Sequence, residues 1–158
     1  MNITLMAHDK KKELMVQFCT AYKSILSKHN LSATATTGRL VADATGLPVS
    51  LFLSSHQGGH QQVDVRIAYN EIDMVLLFSD PNGTDPWEDQ RIMQTLHLCD
   101  SYNVPCATNL ATAEMLILVR RHREGSQGWK LPRTVSEEGY PPSLRTAAIR
   151  RTSRGSFP

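Results

Sequence analysis

The sequence predicts an α/β fold: three layers, with a five-stranded, mostly parallel sheet and helices on both faces. Three observations predict it. Short apolar runs and segments of helical periodicity alternate five times along the chain, with brief connections between them. One of those runs, Met74 to Phe78, is apolar without interruption, which fits a strand buried on both faces. Hydroxyls, glycines, histidines and aspartates gather just past the runs, where the strands of a parallel sheet give way to helices.

The elements follow in order. Ile3 to Ala7 is a short buried strand. Asp9 caps the next helix, in which Leu14, Phe18, Tyr22, Ile25 and Leu26 recur at helical spacing to about His29. Leu31 to Thr34 is a second strand, and Gly38 to Thr45 a short helix that stops at Gly46. Pro48 to Leu53 is a third strand, with bulk from Val49, Leu51, Phe52 and Leu53. A helix runs from about Gly59 to Asn70, and Met74 to Phe78 is the fourth strand. Asp80-Pro81-Asn82-Gly83 is a turn by composition. A helix over Trp87 to Tyr102, a strand over Val104 to Ala107 and a helix from Leu110 to about Arg121 complete the pattern. Crossovers between such strands are right-handed.

A length of 158 residues suits one domain with a sizeable core. That domain is expected over residues 1–130, with a basic, loosely ordered extension over 131–158. The extension is rich in Pro, Ser, Thr and Arg, and Ser143 to Arg151 can form a turn or two of helix. From Arg120 onward nine Lys/Arg face three Asp/Glu, whereas the first 119 residues hold eight against twelve. Cys19, Cys99 and Cys106 show neither metal spacing nor a disulfide framework, so reduced thiols and a cytoplasmic location are expected. The chain opens on a strand-like run and then Asp9 with three lysines, unlike a secretory signal. No stretch has the length and apolarity of a membrane span. Neither a nucleic-acid motif nor abundant aromatics are present, so no nucleic-acid or membrane partner is expected.

Chemistry concentrates at the carboxyl ends of the strands. His8, Thr36, Ser54, His60, Asp80 and Asn109 all fall at or just past such ends, where α/β sheets bind ligands. Thr36-Thr37-Gly38 sets hydroxyls and backbone N–H groups at a helix start, and glycine there lets an anion approach. Lys12 lies one turn past His8, so both can lean toward one phosphate. Asp9 and Asp80 either cap and turn the chain or orient a histidine and receive a proton. His60, after Gly58-Gly59 and before Gln61-Gln62, is either a surface histidine or one kept neutral by the helix dipole and able to accept a proton. His56 and His60 are separated by Gly58-Gly59, which argues against a preformed helical metal pair; no metal is expected.

These motifs, in this order, resemble the methylglyoxal synthases. The matching residues are Ala7-His8-Asp9 with Lys12, Ala33-Thr34-Ala35-Thr36-Thr37-Gly38, Leu53-Ser54, Gly58-Gly59 with Gln61-Gln62, Asp80-Pro81, and Asn103-Val104-Pro105 leading to Ala107-Thr108-Asn109-Leu110-Ala111-Thr112-Ala113. The likeness runs from Ile3 to about Trp129. It implies a methylglyoxal synthase-like fold, one shared with a regulatory domain of carbamoyl phosphate synthetase. It also implies a lyase that deprotonates dihydroxyacetone phosphate beside its carbonyl and expels phosphate, without cofactor, as a homohexamer. Carried over, His8, Lys12, Thr34, Thr36, Thr37, Gly38, Ser54 and Ser55 hold the phosphate, while Asp9, Asp80 and His60 belong to the catalytic surround.

The chain departs from that family at three places. His60 stands where the family has an aspartate, and Ser54-Ser55-His56 where it has Ser-Gly-Pro. Thr84-Asp85-Pro86-Trp87-Glu88-Asp89 lacks the family's histidine, and Asp85, Glu88 or Asp89 are the candidates to supply its acid. Three readings remain open on sequence: a methylglyoxal synthase with His60 as base, an inactive relative that binds phosphate or a phosphometabolite and regulates, and a basic-tailed adaptor with a vestigial rim.

Overall fold

The computed structural model describes residues 1–125. Strands β1 (Asn2–Ala7), β2 (Asn30–Ala33), β3 (Val49–Leu51), β4 (Met74–Phe78) and β5 (Cys106–Ala107) form one sheet in the order β3-β2-β1-β4-β5. Every neighbouring pair is parallel. The helices are α1 (Lys12–Ala21), α2 (Lys23–Leu26), α3 (Ala35–Thr45), α4 (Gly59–Ala68), α5 (Pro86–Ser101) and α6 (Leu110–Gly125).

Strand alternation sorts the core into two halves. Ile3, Leu5 and Ala7 of β1, with Met74, Leu76 and Phe78 of β4, face Met15, Phe18, Val41, Ala113 and Ile117 of α1, α3 and α6. Met6, Val75 and Leu77 face Val63, Ile67, Ile92 and Cys99 of α4 and α5. Every β4 residue is buried because both faces of the central strands are covered. This is the predicted three-layer architecture. Chain direction across the sheet reverses between β1 and β4, the crevice where such sheets bind ligands.

Several boundaries differ from the sequence expectation. The first long helix breaks at Tyr22, whose φ of −104° and ψ of 19° leave helical geometry. Its hydroxyl donates to Glu114 of α6 at 2.9 Å, tying the break to the neighbouring helix. Helix α3 starts at Ala35, three residues early, because the Ala35 amide already reaches the carbonyl of Leu53 and Thr34 serves as the N-cap position. Its end at Gly46, with φ of 71°, is as predicted. Strand β3 pairs only with β2 and is short, leaving Leu51 and Leu53 half exposed. Strand β5 is shorter too, since Val104 gives its N–H to Cys99 and Pro105 has none to give. The boundary at 130, the extension beyond it and the turn at Ser143 to Arg151 lie outside the described residues.

Among the described residues no helix is long and apolar enough to cross a membrane. Where α4 meets α5, buried Thr95 donates to the Asp64 carboxylate at 2.7 Å. Burial pushes the Asp64 carboxyl up from its usual range, and the Thr95 hydroxyl pulls against that. Thr95→Val keeps the shape but removes the donor. Urea unfolding is expected to show a loss of about 1–3 kcal/mol, the cost of a buried acceptor left unpaired.

Candidate active site at the carboxyl edge

The site begins where β1 and β4 end side by side. His8 continues β1 by donating its N–H to the Phe78 carbonyl at 3.0 Å. Its imidazole then turns back, and Nδ1 accepts the Asp80 N–H at 2.6 Å. A nitrogen that accepts a backbone N–H carries no proton, so this contact assigns the ring proton to Nε2. Nε2 is buried and has no hydrogen-bond partner. It faces Glu88 and Asp89 of α5, each carboxylate 3.8 Å away, too far for a hydrogen bond.

Asp80 therefore orients His8 through its backbone, not its carboxylate. The carboxylate is occupied locally: Oδ1 accepts from Asn82 N–H at 3.0 Å, and Gly83 N–H returns to the Asp80 carbonyl at 3.0 Å. The expected turn is present. Asp9 does not cap α1; no side-chain cap bond forms at either helix start there. It lies in a 3-10 turn, Asp9–Lys11, and its carboxylate pairs with the Lys12 ammonium. Lys12, by hydrogen bond and charge, holds the Asp9 carboxyl below its ordinary range, with smaller contributions from His56 and His8.

His60 is on the first turn of α4 and is only 3% exposed. Its Nδ1 is buried without a partner. Burial, and then the charges of Arg91, His8 and His56, push its pKa down to about 4. It is a buried, unprotonated imidazole at neutral pH, not a surface histidine. Two glycines put it there. Gly58 adopts φ of 105°, and Gly59 presses so close to the Leu53–Ser54 backbone that a Cβ would lie 2.2 Å from the Leu53 carbonyl oxygen.

A cleft of about 170 Å³ opens among His8, Asp9, Lys10, Asp80, Gly83, Thr84, Asp85, Glu88 and Asp89. A second, smaller cavity of about 10 Å³ is lined by Met6, Ala7, Thr34, Ser55, His60, Leu77, Glu88 and Ile92. Glu88 lines both. Burial holds its carboxyl above the usual range, while His8 and Lys12 pull it down and Asp9 and Asp85 push it up.

The predicted residues thus divide. His8, Asp9 and Asp80 line the cleft, Thr34, Ser55 and His60 line the smaller cavity, and Lys12 lies close enough to act on Glu88. Thr36, Thr37 and Ser54 line neither. Thr37 is buried on the first turn of α3 with its hydroxyl unpartnered. Gly38 lies within the helix: its N–H bonds to the Thr34 carbonyl at 2.8 Å, and a Cβ there would meet Leu51 at 2.4 Å. It lets α3 pack on β3. Asn109 caps α6, accepting from the Thr112 amide at 3.0 Å.

Sequence reasoning missed the outer wall. Asp85 caps α5 by accepting from Trp87 and Glu88 amides, which leaves Glu88 and Asp89 as the acidic candidates. His56 stacks on Trp87 at 4.7 Å, His60 meets the same indole edge-on at 6.5 Å, and the Arg91 guanidinium lies 5.5 Å over it. The signal was available: an Asp-Pro helix start places Trp87 and Arg91, four apart, on one helical face.

Residues 14–108 match the family model described as the MGS-like domain. A methylglyoxal synthase of Caldicellulosiruptor saccharolyticus is 60% identical over 117 residues, covering 74% of this chain and 82% of that relative. One from Lysinibacillus sphaericus is 49% identical over 131 residues, covering 83% and 96% respectively. The crystal structure of methylglyoxal synthase from Elizabethkingia anophelis superposes with a TM-score of 0.68 at 36% identity, covering 73% of this chain and 76% of that one.

Proposed function

The chain belongs to the family of MGS-like domains, and on that premise we propose that it catalyses the methylglyoxal synthase reaction, a carbon–oxygen lysis of dihydroxyacetone phosphate to methylglyoxal and phosphate. The observation that carries the proposal is a pair of buried imidazole nitrogens without partners, His8 Nε2 and His60 Nδ1, beside spaces that share Glu88. The reaction needs a base beside the carbonyl, a donor for the oxygen that gains charge, and anchors for the leaving phosphate.

His60 is the base. A pKa of about 4 gives it the basicity of a carboxylate and keeps its lone pair free at neutral pH. His8 Nε2–H is the donor toward the carbonyl oxygen, aimed by the Asp80 amide. The phosphate is held at the start of α3, where the Thr36 and Thr37 amides head a helix and its dipole favours an anion. Thr34, Ser54, Ser55, His8 and Lys12 complete that clamp. Asp9 tethers Lys12, and Asp80 supports His8. No metal or organic cofactor is needed. We further propose a cytoplasmic homohexamer, in which the exposed Leu40, Leu51 and Leu53 offer apolar contact surface.

Purified protein given dihydroxyacetone phosphate is expected to release methylglyoxal and phosphate in equal amounts. No turnover, with a phosphate-dependent rise in Tm, would instead make the chain a phosphate-binding regulator. Thr37→Ala is expected to weaken inorganic phosphate binding about tenfold by calorimetry, the worth of one charge-assisted hydrogen bond. Unchanged affinity would remove Thr37 from the clamp.

A further inference from the structure

The proposed reaction needs a second proton carrier, because the His8 hydrogen bond shares the charge on the carbonyl oxygen but hands it no proton. The family's acidic stretch is rewritten in this chain, and the structure presents a replacement. Glu88 sits on the first turn of α5 and lines both the cleft below His8 and the cavity below His60. Its side chain is 17% exposed, whereas that of Asp89 is 54% exposed. Asp85 is committed to the helix cap and Asp80 to its turn. Among the described residues, Glu88 is the one carboxylate that faces both histidines.

We propose that Glu88 is the acid–base carboxyl that exchanges a proton with the carbonyl oxygen of the phosphorylated ketose, working opposite His60; this rests on the reaction proposed above. The protons balance. His60 takes one from the hydroxymethyl carbon as the Glu88 carboxyl gives its own to the carbonyl oxygen, yielding the enediol. The carbon–oxygen bond to phosphate then breaks, the terminal hydroxyl proton leaves with phosphate, and an enol aldehyde remains. The enol proton returns to Glu88 while His60 delivers its proton to the methylene carbon. Methylglyoxal forms, and both side chains end as they began.

The surroundings favour a protonated carboxyl when substrate is bound. Across the site Glu88 faces His8 after β1, Asp9 and Lys10 in the 3-10 turn, Lys12 at the start of α1, Asp80 after β4 and His60 on α4. On its own helix it neighbours Asp85 and Asp89. A phosphate dianion entering this group adds negative charge and opposes ionisation of Glu88.

The test is Glu88→Gln beside Glu88→Asp and wild type, all with dihydroxyacetone phosphate. Glu88→Gln is expected to lower kcat about 100-fold while KM changes less than about threefold. It is also expected to lose the alkaline limb of the kcat profile, which reports the enzyme–substrate complex, and to keep the rise in Tm that inorganic phosphate gives. Glu88→Asp should keep the limb at an intermediate rate. A Glu88→Gln enzyme with near wild-type kcat, or with the alkaline limb intact, overturns the assignment alone. Loss of phosphate-induced stabilisation in step with kcat/KM also overturns it, since that would mark a purely structural role. A wild type that makes no methylglyoxal overturns the reaction itself.

Discussion

Replacing His60 with Gln is expected to lower turnover of dihydroxyacetone phosphate by about 10²–10⁴-fold, the usual contribution of a positioned base. Phosphate affinity should stay nearly constant, because the amides of Thr36 and Thr37 are untouched. His60→Asp, which returns the family's residue, should keep or raise turnover. A loss as deep as that of Gln would mean that the site has been rebuilt around imidazole. The same substitution reads out in stability. Folded His60 has a pKa near 4, against an ordinary value of 6.5. Above pH 6.5 neither state binds the proton and there is no penalty. As pH falls toward 4 the unfolded chain takes up a proton that the folded one refuses, so stability is lost. The loss is about 1.4 kcal/mol per pH unit and reaches roughly 3 kcal/mol by pH 4. In His60→Gln that part of the slope disappears, and urea unfolding at pH 7 and pH 4.5 measures the difference.

Gly59→Ala is expected to damage the molecule more broadly. A Cβ there would stand 2.2 Å from the Leu53 carbonyl oxygen and 2.9 Å from that of Ser54. Both are backbone atoms and cannot rotate aside. The Gly59 amide also bonds the Ser54 carbonyl at 2.9 Å, so the start of α4 is fixed to the preceding loop. Forcing these apart should lower stability by about 3 kcal/mol, near the upper end for overpacking, and Tm by roughly 10 °C. Activity should fall further than the folded fraction does. A displacement of His60 by about 1 Å is enough to cost roughly 100-fold in rate. A Gly59→Ala protein with wild-type Tm and turnover would show that the loop can retreat.

The parts legible in sequence were those governed by local pattern. Met74 to Phe78 fits a strand covered on both sides, and Gly46 ends its helix in the left-handed conformation. What the sequence hid is set at long range. Thr36-Thr37-Gly38 resembles an anion turn, but Gly38 is glycine because Leu51 of a neighbouring strand leaves no room for a side chain. Asp9 follows a strand as caps often do, yet Lys12 takes its carboxylate. The order β3-β2-β1-β4-β5 appears nowhere in local periodicity, and it is that order which sets His8 against Asp80. His8, His60 and the aspartates were found by motif. The central place of Glu88 depends on the exact reach of α5 over the sheet, and no spacing rule supplies it.

The bond between the Asp80 amide and the His8 ring sutures the ends of two central strands. Below it the strands run in fixed register, Ile3 beside Met74 through Ala7 beside Phe78. The tilt of the His8 ring is therefore an outcome of how the hydrocarbon interior is filled. Shortening Phe78 or Leu76, both buried in β4, is expected to disturb that ring as well as the core. Interior packing and ring placement are then two aspects of a single arrangement of side chains.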